Sequence, residues 1–195
     1  MTSPIAIIGA GGWGTALAVT MARARKPVRL WVYESDLVAA MRKDRVNSIY
    51  LPNVQLPETI EISSVLDEVL QGSKTVVVAV PSHVFRSVIT QVAAAAAPEM
   101  NFVSAAKGIE NGTLMRMSEV IQDVIAPHFA PRVAVISGPT FAPEVARGEP
   151  TALVIASTND DLRRFLQTEL SAPRFRLYTN FDPIGVEIGA AASSL

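Results

Sequence analysis

The stretch that decides the fold is the apolar segment Ile5-Ala6-Ile7-Ile8, followed by the turn Gly9-Ala10-Gly11-Gly12-Trp13-Gly14 and by Thr15-Ala16-Leu17-Ala18. Gly9, Gly11 and Gly14 have the spacing G-x-G-x-x-G between a predicted strand and a predicted helix. Glycines let the backbone turn sharply and leave no Cβ in the path of a pyrophosphate, which the N–H groups of a helix N-terminus bind. The stretch therefore predicts a dinucleotide-binding turn.

A carboxylate expected in the same pattern follows the second predicted strand. The first helix stops near Lys26-Pro27, the strand covers Val28 to Val32, and Glu34 comes after it. A carboxylate at this position is expected to accept a hydrogen bond from a ribose 2′-hydroxyl and to repel a 2′-phosphate, which favours NAD over NADP. The alternative is that Glu34 only supplies a negative charge at the N-terminus of the next helix.

The composition narrows the classes of partner. The 195-residue chain is 49% hydrophobic and has 17 basic against 18 acidic residues, so nothing favours binding to nucleic acid or to an anionic membrane. The chain has no cysteine, which excludes disulfides and thiol nucleophiles and suits a reducing compartment. It has neither a signal-peptide pattern nor an apolar run of about 18 residues. We expect a soluble, cytoplasmic protein without nucleic-acid or membrane partners.

Short apolar runs alternate with helix-period segments along the chain, which is typical of parallel strands covered by helices on both faces. The predicted fold class is α/β, with a Rossmann-like, doubly wound, mostly parallel sheet of about eight strands. The predicted strands are residues 5–8, 28–32, 60–62, 75–80, 101–104, 133–136, 151–156 and 175–178. Residues 47–57 are predicted to form a loop, and a helix is predicted over 113–125. We assign residues 1–189 to one dinucleotide-binding domain.

Ligands of open α/β sheets bind beyond the carboxyl ends of the strands, so unusual residues there are site candidates. Pro81 ends the fourth strand and starts a helix, on the nicotinamide side of a bound dinucleotide. Lys107 follows the fifth strand, where its ammonium suits a phosphate or a carbonyl oxygen that gains negative charge, although most lysines are simply solvated. The small, rigid segment 137–142 follows the sixth strand and suits close approach by a ligand, with an ordinary Gly-Pro turn as the alternative.

The two histidines are predicted not to be catalytic. His83 lies in the first turn of a helix without a partner carboxylate at fixed spacing, and His128 lies in a loop. Two isolated histidines do not form a metal site, because tetrahedral coordination needs further clustered ligands. We expect no metal centre.

Taken together, these segments resemble the N-terminal domain of the bacterial-type NAD(P)-dependent glycerol-3-phosphate dehydrogenases, over about residues 4–190. Each matching piece is weak by itself, but their order and spacing are specific. The pieces are residues 9–18, Tyr50-Leu51-Pro52, Val80-Pro81-Ser82, Lys107-Gly108, residues 137–142, Pro150-Thr151-Ala152, Tyr178-Thr179-Asn180 and residues 185–189.

The resemblance implies an activity and a set of site residues. Family members transfer a hydride between nicotinamide and C2 of a triose phosphate, which interconverts sn-glycerol 3-phosphate and dihydroxyacetone phosphate and feeds phospholipid synthesis. It implies that Lys107, Gly138 and Thr140 contact this substrate. The residues implied to lie against NAD or NADP are Gly12, Trp13, Tyr33, Tyr50, Lys107 and Ala142.

The chain departs from the family pattern near its end. The family has an acid–base lysine where this sequence has Ser193, so we predict no catalytic residue. The family's helical second domain, which contributes to substrate binding and to a homodimer interface, has no counterpart here, and residues 190–195 are predicted to be its truncated start or a foreign tail. We expect a fragment that binds cofactor with little or no turnover and has an apolar surface near its C-terminus that is suited to self-association.

Two other functions stay open. The hydroxyisobutyrate, 6-phosphogluconate and ketopantoate enzymes also pair a dinucleotide domain with a helical domain, although Lys107-Gly108 and the Ser137 to Thr140 segment argue against them. The other alternative is a dinucleotide-binding sensor without enzyme activity, an interpretation that the serine at residue 193 keeps open.

Overall fold

The structure is a computed structural model that describes residues 3–192. Ten strands occur in this range: β1 (Ile5–Ile8), β2 (Val28–Trp31), β3 (Val46–Asn47), β4 (Leu51–Gln55), β5 (Ile60–Ser63), β6 (Thr75–Val78), β7 (Asn101–Ser104), β8 (Arg132–Ser137), β9 (Thr151–Ala156) and β10 (Phe175–Asn180). Strands β3 and β4 form a separate antiparallel hairpin, and the other eight form one sheet.

The strand order of the main sheet is β10-β9-β8-β7-β6-β1-β2-β5. All neighbours run parallel except β8 and β9, which are antiparallel. The chain proceeds from β1 towards β2 on one side and later returns to β6 on the other, which makes a switch point at the carboxyl end of β1. A crevice forms at such a point in doubly wound sheets. The predicted Rossmann-like, mostly parallel α/β fold is confirmed.

Helices cover both faces of the sheet. Within residues 3–192 they are α1 (Gly12–Arg23), α2 (Ser35–Asp44), α3 (Leu66–Leu70), α4 (Ser82–Ala95), α5 (Met117–Ile125), α6 (Ala142–Arg147), α7 (Asp160–Leu170) and α8 (Pro183–Ala192). Ile7 belongs to a core shared with α1, α2, α6 and α7, whereas its neighbour Ile8 belongs to a core shared with α3, α4 and α5. This alternation is expected of a strand buried on both faces. None of these helices is long and apolar enough to cross a membrane.

The prediction of a loop over residues 47–57 is wrong, because this segment contains β4 and the second residue of β3. Leu51 and Val54 of β4 are buried in the core, whereas Pro52 is exposed. A proline is tolerated in a strand where its missing N–H faces away from a partner. The short hairpin therefore forms in spite of the proline that argued against it.

Two helices also differ from the prediction. The helix predicted from Thr113 begins at Met117, because Arg116 is its N-cap and the backbone N–H of Arg116 donates to the Glu119 carboxylate at 2.9 Å. Helix α8 was not predicted at all. Its start is fixed by Asp182, whose Oδ1 accepts the backbone N–H of Gly185 at 3.0 Å. This helix runs across residue 189, and the division into domains there stays a prediction.

Candidate functional site

The glycine-rich turn lies at the carboxyl end of β1, and its three motif glycines meet different surroundings. Gly9 has a φ of +112°, and a Cβ on it would lie 2.7 Å from Cγ1 of Val80. A Cβ on Gly14 would lie 1.9 Å from the carbonyl oxygen of Gly9, so α1 packs this closely only without a side chain there. A Cβ on Gly11 would meet nothing within 4 Å. Protein atoms therefore fill the space that side chains at Gly9 and Gly14 would need, whereas the space in front of Gly11 is open.

A cleft of about 360 Å³ opens beside this turn, within the usual volume range of ligand pockets. Apolar side chains, among them Trp31, Val80 and Val88, form much of its wall. His83, predicted not to be catalytic, also lines it, from the first turn of α4. The predicted cofactor residues that line the cleft are Gly9, Gly11, Tyr33, Glu34, Tyr50 and Pro81. The structure thus brings together residues from β1, β2, the hairpin and the end of β6.

Glu34 and Tyr50 meet at one end of the cleft. The Tyr50 hydroxyl donates a hydrogen bond of 2.9 Å to Oε1 of Glu34, and this bond together with the negative charge of Glu34 raises the pKa of Tyr50. Glu34 is the residue before α2, but its side chain makes no capping hydrogen bond to that helix. This arrangement favours a role for Glu34 in the cleft over a role at the helix N-terminus.

Apart from Lys107, the remaining predicted cofactor residues Gly12, Trp13, Gly14 and Ala142 lie around the N-terminus of α1. Nε1 of Trp13 donates a hydrogen bond of 3.1 Å to the carbonyl oxygen of Ala105, in the segment that leads to Lys107. A Cβ on Gly12 would lie 2.9 Å from the Tyr50 carbonyl oxygen and 3.6 Å from Cβ of Ala142. The first turn of α1 is therefore enclosed by the hairpin, by the end of β7 and by the start of α6.

The predicted substrate residues lie outside the cleft, after neighbouring strands. Lys107 follows β7, its side chain is exposed, and within residues 3–192 it has neither an ion pair nor a hydrogen bond. Gly138 follows β8, where a Cβ would lie 2.6 Å from Cδ2 of Leu153. Thr140 is half-buried two residues further on. These three residues follow the carboxyl ends of β7 and β8. They lie near Ala105, whose carbonyl oxygen accepts the hydrogen bond from Trp13.

An ion-pair network braces the loop after Lys107. The Arg86 guanidinium on α4 donates two hydrogen bonds, of 2.8 and 2.9 Å, to the Glu110 carboxylate. These bonds, with a further one from Thr113 Oγ1, lower the pKa of Glu110 to about 2. Arg86 also pairs with Asp123 on α5 at 2.5 Å. The loop that carries Lys107 is therefore tied to two helices of the scaffold.

Sequence reasoning missed Asn47, which is fully buried beneath the glycine-rich turn and donates a hydrogen bond of 2.7 Å to the carbonyl oxygen of Ala10. Buried apolar residues at Leu51, Val54 and Leu56 were the signal for an ordered segment here, and Pro52 obscured it. Ser193, predicted from the sequence to replace the family's acid–base lysine, lies outside the described residues. Among residues 3–192, no three potential metal ligands cluster.

Comparisons with known proteins agree with this geometry. Residues 4–163 match the family described as NAD-dependent glycerol-3-phosphate dehydrogenase N-terminus. The chain is 47% identical over 194 residues to glycerol-3-phosphate dehydrogenase (NAD(P)+) of Koribacter versatilis, and 46% identical over 191 residues to the protein of the same name from Syntrophotalea carbinolica. These alignments cover 99% and 98% of this chain.

The crystal structure of a glycerol-3-phosphate dehydrogenase from Coxiella burnetii is also similar, with a TM-score of 0.90 and 40% sequence identity. That match covers 97% of this chain and 57% of the other protein. The two curated relatives are covered over 58% and 57% of their lengths. The chain therefore spans a little under three fifths of the proteins it matches.

Proposed function

Because the chain belongs to the NAD-dependent glycerol-3-phosphate dehydrogenase family, whose N-terminal part it matches, we propose that it binds NAD or NADP in the cleft beside the glycine-rich turn. The observation that carries this proposal is the open space in front of Gly11, next to the free N–H groups at the start of α1. A pyrophosphate fits there, because it needs backbone donors and no Cβ in its path. The residues present therefore suit the cofactor.

The two ends of the cleft suit the two halves of a dinucleotide. Glu34 and Tyr50 would bind the adenosine ribose, and Pro81 at the start of α4 would lie on the nicotinamide side. A carboxylate accepts a hydrogen bond from a 2′-hydroxyl and repels a 2′-phosphate, so we propose a preference for NAD over NADP. Substitution Glu34→Gln removes the charge at nearly constant shape, and we expect it to raise the NADPH affinity relative to the NADH affinity.

The substrate proposal rests on Lys107, Gly138 and Thr140. The exposed ammonium of Lys107 can bind the phosphate of glycerol 3-phosphate or dihydroxyacetone phosphate, or stabilise negative charge on the C2 oxygen. The space of a side chain at Gly138 is filled by Leu153, so this residue would contact the substrate through its backbone, and the Thr140 hydroxyl provides a further hydrogen-bonding group. The bound nicotinamide supplies or accepts the hydride.

We further propose that this chain turns over slowly. Ser193 replaces the acid–base lysine that the family resemblance implies, and loss of a positioned proton donor slows a reaction by about 100- to 10,000-fold. The test is NADH oxidation with dihydroxyacetone phosphate, followed by NADH absorbance. A turnover number of about 10 per second, typical of an ordinary enzyme, would contradict this part of the proposal.

We also propose a metabolic role, a cellular location and an oligomeric state for the protein. The reaction supplies glycerol 3-phosphate for phospholipid synthesis, a cytoplasmic location agrees with the absence of cysteine, and the family resemblance implies a homodimer. Size-exclusion chromatography with light scattering measures the oligomeric state.

Cofactor binding is the first experiment. Trp13 lies at the turn and Trp31 lines the cleft, so NADH should quench tryptophan fluorescence as it binds. Isothermal titration with NADH gives the affinity independently. Absence of binding at millimolar NADH by both methods, in a chain whose circular dichroism is that of a folded α/β protein, would overturn the proposed function.

A further inference from the structure

The hairpin formed by β3 and β4 reaches beneath the glycine-rich turn through one buried side chain. Asn47 is fully buried, and its Nδ2 donates to the carbonyl oxygen of Ala10 at 2.7 Å and to Oγ1 of Thr15 at 2.9 Å. The Thr15 hydroxyl in turn donates to the same Ala10 oxygen at 3.2 Å. Oδ1 of Asn47 accepts the backbone N–H of Tyr50 at 3.0 Å. Both ends of the amide are therefore used, and the Ala10 oxygen has two side-chain donors.

The position of the Ala10 oxygen decides where the next N–H points. A trans peptide unit is planar, so its C=O and N–H groups point in opposite directions. When Asn47 and Thr15 hold the Ala10 oxygen towards the protein interior, the N–H of Gly11 is held towards the cleft. Gly11 lines the cleft, and its Cα faces open space. The buried amide thus fixes the direction of a backbone donor that faces the proposed pyrophosphate position.

The same hairpin contacts the turn at a second point and reaches the far end of the cleft. A Cβ on Gly12 would lie 2.9 Å from the Tyr50 carbonyl oxygen, and the Tyr50 hydroxyl bonds to Glu34. Because Asn47 also holds the backbone N–H of Tyr50, one side chain links the proposed pyrophosphate position to the ribose end of the cleft.

We infer that Asn47 is a positioning residue for the cofactor: together with Thr15 it holds the Ala10–Gly11 peptide unit with its N–H directed at the dinucleotide pyrophosphate. This inference rests on the proposed function for its ligand, but the orientation of the turn is a property of the unliganded chain. Asn47 itself does not line the cleft, so its effect is transmitted through the backbone it holds.

The test compares Asn47→Ala with Ser48→Ala, since Ser48 is the exposed neighbour in the same hairpin. In Asn47→Ala the order parameters of the Gly11 and Gly12 amides should fall from about 0.85 to below about 0.6, because the peptide unit has lost its main anchor. NADH affinity, measured by titration on the folded fraction, should weaken by about tenfold, because the misdirected N–H would otherwise donate to a charged pyrophosphate, and such bonds contribute more than neutral ones. Ser48→Ala should change neither value.

A second pair keeps the inference testable if Asn47→Ala does not fold. Thr15→Val removes the hydroxyl at nearly constant volume, and Thr15→Ser keeps it. NADH affinity should weaken several-fold in Thr15→Val and be retained in Thr15→Ser, a rescue that lost packing alone does not explain. Unchanged NADH affinity and unchanged amide order in folded Asn47 and Thr15 variants would overturn the inference. Failure of the unmodified chain to bind NADH would instead overturn the proposed function, whereas the amide order parameters would still test the anchor.

Discussion

The turn at Gly9 to Gly14 and the strand ends that carry Lys107 and Gly138 lie on the same edge of one sheet, yet they are built differently. The turn is enclosed by buried groups: Val80 behind Gly9, the Gly9 carbonyl against Gly14, and Asn47 beneath Ala10. Lys107 is exposed and has no ion pair within residues 3–192. The proposed cofactor region is therefore preorganised in this chain. In the proposed substrate region, the loop of Lys107 is held through the ion pair of Arg86 with Glu110. A preorganised site loses less free energy in ordering when its ligand binds.

The largest effects are expected from adding a methyl group at Gly14, where the turn is tightly packed, and at Gly11, where it is open. Gly14→Ala would place a Cβ 1.9 Å from the Gly9 oxygen, which is backbone and cannot move aside, so we expect the free energy of unfolding to fall by about 3 kcal/mol or more. Gly11→Ala meets nothing within 4 Å and should leave unfolding almost unchanged, while it weakens NADH binding by about tenfold or more. Urea unfolding and NADH titration measure the two effects. Equal losses of stability in the two variants would show that Gly14 is not packed more tightly than Gly11.

The second largest effect is expected in the half of the sheet that carries the proposed substrate residues. The Glu187 carboxylate on α8 is buried and bonded to Arg116 at 2.8 Å and to the hydroxyl of Ser118 at 2.6 Å. Glu187→Ala leaves the half-buried Arg116 without this partner, and we expect a loss of about 3 kcal/mol in unfolding free energy. NADH affinity should change less than about twofold, because α8 packs on β8 and β9, away from the cleft. The control is Gln122→Ala, an exposed position on α5. A large loss of NADH affinity would show that the two regions are coupled.

A smaller and pH-dependent effect is expected at the brace of the Lys107 loop. The pKa of Glu110 is lowered to about 2 by Arg86, below its ordinary value of 4.5, so its ionised form stabilises the fold. This stabilisation is fully present above about pH 5 and is lost as the pH falls towards 2. Glu110→Gln should therefore cost about 1 kcal/mol at pH 7 and almost nothing near pH 2. Urea unfolding across this range tests it, with the exposed Glu99→Gln as control. A difference that does not vary with pH would rule out the ion pair as its cause.

The smallest effect is expected at the ribose end of the cleft. Tyr50→Phe removes the hydroxyl that holds Glu34 at 2.9 Å and leaves the ring in place. One hydrogen bond contributes about 1 kcal/mol, so NADH binding should weaken by about fivefold. NADPH binding should not change, because its 2′-phosphate gains nothing from this carboxylate. Calorimetric titrations with both nucleotides measure this, and equal losses for the two would show that Tyr50 acts through packing alone.

The parts of the molecule that were predictable are those with a local chemical signature. Gly9 and Gly14 stand where any side chain would clash, Gly11 leaves open the space that a pyrophosphate needs, and Glu34 follows them at the distance set by one βαβ unit. Asn47 could not be found in this way, because its hydrogen bond to Ala10 joins residues 37 positions apart and follows no periodicity. Only the fold brings such pairs together.

Helix α8 was missed for a different reason. Gly185 and Gly189 lower helix propensity in its interior, and they outweighed the start signal of Asp182 followed by Pro183. The direction of β9 was equally hidden, since an apolar run of six residues is the same in a parallel and an antiparallel pair.

The reversal at β9 determines where the described chain finishes. Because β9 and β10 run opposite to β8, the carboxyl end of β10 lies at the same edge of the sheet as the amino end of β8, which is remote from the cleft. Ile184, at the start of α8, lies near Val133 at that remote edge, whereas Glu187, one turn later, already reaches the N-terminus of α5. The helix therefore points back towards the edge that carries Lys107. If β9 were parallel to β8, the same helix would lead the polypeptide to the opposite end of the sheet. One antiparallel pairing, between β8 and β9, thus directs the chain back towards Lys107.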